Sequence, residues 1–544
     1  MLRSVVAEDT LTVSSRPSAA ELSRVTPNER TRSLLADAFV PGTPAPIALV
    51  RCVRALVIDD NFVEARSLTR GARGIGWMRD AARAAAAVVA VALGRLEVAE
   101  KQLRDMPPDA ALALVPAEVV AVQLTKDRPA AVATSAAVLG TSEELAPETW
   151  LELARQTFAR GELDISEQAL SRVAADRASA PARMDREARW LARWIARARD
   201  DREARPVPEG QVAVAVLDYK LPDYRRTSAN VGDYIQTLAS LGHLVRHQGV
   251  RFHGEPELTA ELDVLRARVP PQRLLAGTER DLAVVAVNRD ASSVDAVPEG
   301  TWMLAFGWYM HPWFRVRYDF PLHPHLRPLF LSFHVNRPQL LSADGISYLR
   351  RHAPIGCRDW PTVHRLLELD VPAFFTGCLT STVDLLFEAE PRQAAGDAPI
   401  AFVDVEPAAE EAKGRPTTAL RHAALEIREA SLPANLARAV RTLQSYRRDY
   451  SGIVTSRLHC YLPVRSLGVD VRFEPKREND PRFEGLVGID DASFQAMRQG
   501  LNSKLERVLA SILSGDDERT VRATWNDLCA PDVEDARRRY RAVA

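Results

Sequence analysis

The sequence predicts an α/β protein in which two doubly wound parallel sheets follow an all-α helical-repeat region. Three observations carry that expectation. Before about residue 205 the chain is rich in Ala, Arg, Leu and Glu, with apolar residues at helical spacing. After it come short β-branched runs, each followed by a segment of helical periodicity. That alternation breaks at Glu390–Pro399 and then restarts, which predicts two α/β domains facing each other across a cleft. A length of 544 residues leaves room for three or four domains.

Taken in order, residues 1–60 read as a loosely structured segment, since Ser14, Ser15, Pro17, Pro41, Pro44 and Pro46 interrupt it. Residues 61–205 read as helical repeats. The decapeptide Gly94–Leu103 matches Gly161–Leu170 almost position for position, 67 residues further on, about two periods of a 34-residue helix-turn-helix repeat. A degenerate middle copy fits around Asp127, with Ala130, Ala131 and Leu139. These repeats resemble tetratricopeptide repeats, and they suit either a partner-binding groove or a cap on the rest of the chain. The stretch Asp201–Gly210, with two prolines and many charges, is a domain edge.

Residues 211–395 form the first expected α/β domain. Its strands are predicted at 212–217, 282–287, 302–306, 329–333 and 373–375, with a further strand ending in the Arg358–Asp359 pair. Residues 396–490 form the second, with strands at 400–405, 453–455 and 469–473. Residues 491–544 are read as C-terminal helices that cross back onto the first domain. In such folds ligands sit beyond the carboxyl ends of the strands.

Composition excludes several function classes. With 71 Lys and Arg against 72 Asp and Glu the net charge is -1, which argues against a general nucleic-acid binder. The five cysteines are scattered with no CxxC pair or His/Cys cluster, so neither a disulfide framework nor a metal site is expected. No apolar stretch has the length of a signal peptide or a membrane span, which predicts a cytoplasmic protein with no transmembrane segment.

Four strand-end loops carry the candidate chemistry. In the first, Asn230, Gly232, Asp233 and Gln236 stand at a helix start, which fits either a bound anion or an ordinary capped helix. In the second, Arg358 and Asp359 precede a helix; the arginine suits a carboxylate or phosphate, and the pair equally suits a structural ion pair. In the third, Thr376, Gly377, Cys378 and Thr380 form a hydroxyl-rich turn suited to a phosphate or sugar. In the fourth, Ser456, Arg457 and His459 fall within one turn of a helix N-terminus, with Lys476 beyond the next strand. A fixed cation, a group titrating near neutrality and a helix dipole there suit an anionic substrate that needs proton transfer.

The ordered series NVGDYIQT, FGWYM, LFLSFHV, PIGCRDWPTV, FFTGCLTSTVD and VTSRLHCYLPVRSLGVDVRFEPK resembles the polysaccharide pyruvyl transferase family, over residues from about 212 to 490. The resemblance implies two Rossmann-like domains in a glycosyltransferase-B-like arrangement. It also implies an enzyme that transfers pyruvyl from phosphoenolpyruvate to two hydroxyls of a glycan or glycoside, forming a ketal and releasing phosphate. No metal or organic cofactor is implied. Arg457 matches the family's arginine in the Arg-Leu-His motif and is assigned to the donor anion. His459 matches its histidine and is assigned as the general acid, with Asp233 as a candidate base. Asn230, Gly232, Gln236, Arg358, Asp359, Thr376, Gly377, Cys378, Thr380, Ser456 and Lys476 are the expected substrate-binding residues.

The sequence departs from the family where Thr376 replaces Ser and Ser381 replaces an apolar residue, which leaves the acceptor open. The aromatic segment His311–His325 is expected to form an acceptor-side loop. Two other readings remain. One is a divergent glycosyltransferase of the same architecture. The other is a repeat-bearing binding or scaffold protein with a degenerate transferase domain, its protein partner held by the helical repeats.

Overall fold

The structure is a computed structural model. It describes residues 44–58, 61–141, 145–175, 182–199, 206–277, 279–309, 320–335, 341–388, 397–406, 416–477 and 480–543. The protein is α/β, with helices and two wholly parallel sheets. The chain divides into two compact units. The first holds the helices up to residue 199 together with the short segment Pro222–Arg226; the second holds both sheets.

The first unit is built from α1 (Ala45–Ile58), α2 (Phe62–Arg73), α3 (Arg79–Ala92), α4 (Leu96–Arg104), α5 (Pro108–Leu114), α6 (Pro116–Gln123), α7 (Arg128–Leu139), α8 (Pro147–Phe158), α9 (Leu163–Ala175) and α10 (Ala182–Arg199). Helix α1 corrects the expectation of loose structure through residue 60. Pro46 sits in its first turn, where a missing N–H costs nothing, and Ala48, Leu49, Cys52, Val53 and Leu56 are buried. Residues 1–43 lie outside the described residues.

The matched decapeptides make matched turns. Gly94 (φ 66°) bonds back to Val91 O and Arg95 N–H to Ala90 O, at 2.9 and 2.8 Å. Gly161 (φ 82°) and Glu162 repeat the pattern onto Phe158 O and Thr157 O, both at 2.9 Å. A positive φ ends one helix and lets the next fold back. In the middle pair the turn is closed by Asp127, whose carboxylate accepts from Ala130 N–H at 3.0 Å.

The core of this unit also holds charge. Arg54 pairs with Glu118 at 2.5 Å, both nearly inaccessible. Arg155 contacts Glu152 at 3.2 Å and also Glu187. Arg225, from the segment Pro222–Arg226, pairs with Asp223 at 2.8 Å and reaches Glu152 at 3.6 Å, while Tyr224 meets Trp190 edge-on with centroids 5.4 Å apart. Removing one member of such a buried set strands the others, at a cost on the order of 3–5 kcal/mol.

In the second unit the first sheet contains β1 (Val212–Asp218), β2 (Val250–Gly254), β3 (Arg280–Asn288), β4 (Thr301–Tyr309), β5 (Leu326–Val335), β6 (Ile355–Cys357) and β7 (Ala373–Phe375), in the order β2-β3-β1-β4-β5-β6-β7. Val214 of β1 pairs with Val284 on one side and Trp302 on the other. Helices α11 (Val231–Val245), α12 (Pro256–Ala267), α13 (Ala343–Arg351) and α14 (Trp360–Glu368) connect its strands. The second sheet contains β8 (Ile400–Val403), β9 (Thr417–Leu420), β10 (Gly452–Thr455) and β11 (Val471–Phe473), in the order β11-β10-β8-β9. Helices α15 (Leu425–Glu429), α16 (Leu432–Asp449) and α17 (Leu458–Ser466) belong to it. The strands of both sheets run parallel, with helices on most of the described returns, and the central ones are almost wholly apolar because both faces are covered.

The loop after β1 is bonded to the loop after β9. Val231 N–H donates to His422 O at 3.0 Å, and Ala424 N–H to Ala229 O at 2.8 Å. Lys220 Nζ donates to the carbonyls of Ile427, Arg428 and Ala430 at 2.8–3.0 Å, where α15 ends. The last two helices, α18 (Asp491–Ser514) and α19 (Glu518–Val543), pack on the first sheet: Trp525 Nε1 donates to Pro354 O at 3.1 Å, and Arg280 holds the carbonyls of Leu513 and Ser514.

Replacing Gly94 or Gly161 by Ala places a Cβ on a left-handed residue. Each change is expected to cost about 1–2 kcal/mol and to lower the melting temperature of the helical unit by about 2–8 °C. Thermal unfolding of the two variants checks this, and unchanged melting in both would refute the shared role of the turns.

Candidate functional site

In a parallel sheet the crevice opens where strand order reverses, beyond the carboxyl ends. In the second sheet that place lies between β8 and β10, whose neighbours β9 and β11 continue outward in opposite directions. The residues there are Asp404, just past β8, and Arg457, just past β10. Arg457 Nε donates to Asp404 Oδ2 at 2.7 Å, and Ser456 Oγ donates to Asp404 O at 2.9 Å. Arg457 is also the N-cap residue of α17, with its N–H on Thr455 Oγ1 at 3.0 Å. His459 follows in the first turn.

In the first sheet the reversal lies between β1 and β4. The helix that leaves β1, α11, begins at Asn230, whose side chain caps it by accepting from Gly232 N–H at 3.0 Å. Asp233 accepts from Ser228 Oγ at 2.6 Å and from Gln236 Nε2 at 3.3 Å. Past β3 stands Arg289, forked onto Asp290 at 2.6–3.2 Å and lying over the rings of Tyr219 and Tyr309, 5.0 and 5.5 Å from their centroids. Gly307, at φ 97°, leaves room for it. A Cβ there would lie 3.1 Å from both Arg289 Nη1 and Gln236 Oε1.

These two groups meet. A Cβ added to Gly232 would come 3.0 Å from His459 Cβ, so α11 and α17 abut at their first turns. Burial and the neighbouring Arg358, His422, Arg289 and Arg457 hold His459 well below the usual histidine range, so its ring is neutral at neutral pH. Its Nε2 is buried with no hydrogen-bond partner among the described residues. Burial pushes the Asp233 carboxyl up, against the pull of Arg289, Ser228 and Arg457. A neutral imidazole and a carboxyl of raised proton affinity thus stand where the two helix starts abut, both under the charges of Arg289 and Arg457.

Arg358 is 4% exposed, 3.5 Å from Asp359 Oδ2, and its Nε has no hydrogen-bond partner among the described residues. Asp359 caps α14 through the N–H and hydroxyl of Thr362, at 3.1 and 2.8 Å. Burial raises its pKa, but the contacts with His334, Arg358 and Thr362 together outweigh that and the carboxyl is held low. A cavity of about 860 Å³ opens beside these residues. Arg365, Arg457, Lys476, Arg477 and Arg482 line it against only Asp359 and Asp480, a balance that favours an anion. Ser456, Lys476, Trp308 and His334 line it too.

The hydroxyl-rich turn does not present its side chains to the crevice. Thr376 Oγ1 donates to the carbonyls of Cys357 and Gly377 and accepts from Ser332 N–H, at 2.9–3.1 Å. A Cβ on Gly377 would overlap Met497 of α18. Cys378 and Thr380 are fully buried and 3.2 Å apart. These four residues lock β5, β6 and β7 to the helices beneath; their composition is that of a ligand turn, but their side chains are spent on packing. The site residues absent from the sequence reading are Asp404, Arg289 and His334. Of these, only His334 fell inside a quoted motif. The segment His311–His325 is described only from Phe320. Among the described residues no group of three His, Cys, Asp or Glu is placed to hold a metal.

Set against protein-family models, curated proteins and solved structures, the chain matches none. The assignment of function therefore rests on the residues themselves.

The buried imidazoles set an acid limit on stability. Burial lowers His334 and His422 to about 4 and His243 to about 3, from an ordinary 6.5. Below 6.5 the unfolded chain binds protons that the folded one refuses, so stability falls as pH falls from 6.5 to about 4, and is unaffected by these groups above it. Each imidazole contributes up to about 1.4 kcal/mol per pH unit. Denaturant titrations at about pH 7.5 and about pH 5 are expected to show the loss; equal stability at both would refute it.

Proposed function

We propose that this protein is a pyruvyl transferase, resembling the polysaccharide pyruvyl transferases, that uses phosphoenolpyruvate as donor and a glycan or glycoside as acceptor. The observation that carries the reading is the abutment of the helix starts that bear Asp233 and His459, where the charges of Arg358, Arg289 and Arg457 act on His459. Phosphoenolpyruvate bears three negative charges on neighbouring groups, and such an anion needs several fixed cations and helix-start N–H groups at once. On the same reading the two parallel sheets are Rossmann-like domains in a glycosyltransferase-B-like arrangement, with the donor between them.

The chemistry assigns each group a task. Arg457, aimed by Asp404, and Arg358 hold the donor's carboxylate and phosphate. The bound trianion offsets the cations that now keep His459 neutral, so donor binding raises its proton affinity and brings a proton with it. His459 then protonates the methylene carbon, C2 becomes electrophilic, a hydroxyl adds, and phosphate leaves with the C2–O electron pair. Asp233, whose carboxyl already favours the proton, takes the proton of a hydroxyl. Lys476 and Ser456 complete the anion-facing rim.

Phosphate release from phosphoenolpyruvate, in the presence of pyranosides carrying paired hydroxyls, tests the reading. Arg457→Ala is expected to weaken donor binding about 10- to 150-fold, the worth of one charge-assisted contact. His459→Gln is expected to lower kcat by roughly two to four orders of magnitude with donor affinity nearly kept. Wild-type protein that neither binds phosphoenolpyruvate nor releases phosphate from it would sink the proposal.

A further inference from the structure

The transfer just proposed needs two hydroxyl protons removed, and the groups named so far supply one base. His334, the penultimate residue of β5, lines the cavity between Trp308 and Asp359 and is 3% exposed. Its Nδ1 lies 2.6 Å from Asp359 Oδ2 and 3.2 Å from Thr362 Oγ1. A carboxylate held in its ionised form only accepts, so Nδ1 carries the hydrogen and the lone pair of the neutral ring sits on Nε2. Nε2 is buried and has no hydrogen-bond partner among the described residues. Capping α14 requires only Asp359 and Thr362; it does not explain an imidazole fixed at one nitrogen and left open at the other.

The surroundings point the same way. Burial and the Arg358 guanidinium lower His334 to about 4, so the ring is a neutral acceptor at neutral pH. The Trp308 indole stands edge-on to it, centroids 5.8 Å apart at 69°, and lines the same cavity. The Arg482 guanidinium lies over the same indole, 5.6 Å from its centroid. The Arg358 charge acts on both His334 and His459.

We propose that His334 is a second catalytic base, taking a proton from a hydroxyl of a sugar acceptor, and that Asp359 is the positioning residue that fixes its tautomer. The role rests on the pyruvyl-transfer reading. In the balanced step the acceptor oxygen forms its bond to C2 as its hydrogen passes to Nε2 of His334. The second hydroxyl gives its proton to Asp233. Of the two protons removed, one replaces the proton His459 delivered to the methylene carbon, and the other leaves on phosphate as hydrogen phosphate. Nothing is oxidised or reduced, and no further reactant is needed.

His334→Asn tests this, because its amide keeps a donor toward Asp359 while the base is lost. The expected result is a kcat lower by roughly 10²–10⁴-fold with the Kd for phosphoenolpyruvate within about twofold of wild type. Asp359→Asn is expected to lower kcat as well, and the double variant no further than His334→Asn alone. Nitrogen NMR of histidine-labelled protein gives a readout independent of turnover: His334 is expected to carry its hydrogen on Nδ1 at neutral pH. Wild-type kcat in His334→Asn, with active wild-type protein beside it, overturns this role alone. A ring protonated on Nε2, or additive losses in the double variant, overturn it too. Wild-type protein inert toward phosphoenolpyruvate overturns the transfer reading and this role together.

Discussion

The approach of α11 to α17 is the constraint on which the crevice depends. At Gly232 there is space for a hydrogen and for little else, because His459 Cβ stands where a side chain would begin. The backbone bonds from Val231 to His422 and from Ala424 to Ala229 tie the loop before α11 to the second sheet's loop, and Lys220 adds three bonds to the end of α15. Two helix N-termini therefore face one point. Each brings the positive end of its dipole, so the site is electropositive before any side chain is counted.

The side chains add fixed charge to that field. Arg289 is clamped by Asp290 and sandwiched by two tyrosines, and Arg457 is clamped by Asp404. Such cations have already given up rotamer freedom in folding, so an anion that meets them loses little further entropy. Arg358 is held less completely, with its Nε unbonded among the described residues. Burial first, and the cations around them second, hold His459 and His334 neutral. Repulsion stored in this way is released when negative charge arrives.

Much of the fold was legible because buried parallel strands announce themselves. VAVAVL is apolar on both faces, and LFLSFHV is apolar on one and buried on both. The edge strands Val250–Gly254 and Thr417–Leu420 were not legible, since they are half exposed and carry no apolar run. Helix α1 was missed because its prolines read as breakers, although one of them starts it. In the site, the helix starts at Asn230 and Arg457 could be found from spacing alone. The Thr376–Thr380 turn could not be judged from sequence, because a packing turn and a phosphate turn use the same residues. Asp404, Arg289 and His334 stand at the ends of different strands and come together only through sheet order, which local pattern does not encode.

The short segment Pro222–Arg226 has a consequence for how this chain can be taken apart. It is encoded between β1 and α11, two residues before Ser228, yet it folds as part of the helical unit, with Arg225 among that unit's buried acids and Tyr224 against Trp190. The helical region is therefore not a detachable module. A chain shortened to begin after residue 205 would still carry Asp223, Tyr224 and Arg225, now as an orphaned splice with its bed removed, a few residues from the loop that presents Asn230 and Asp233. Inheritance of the two parts as separable cassettes would have to solve that seam first, and recombination at the obvious linker would not.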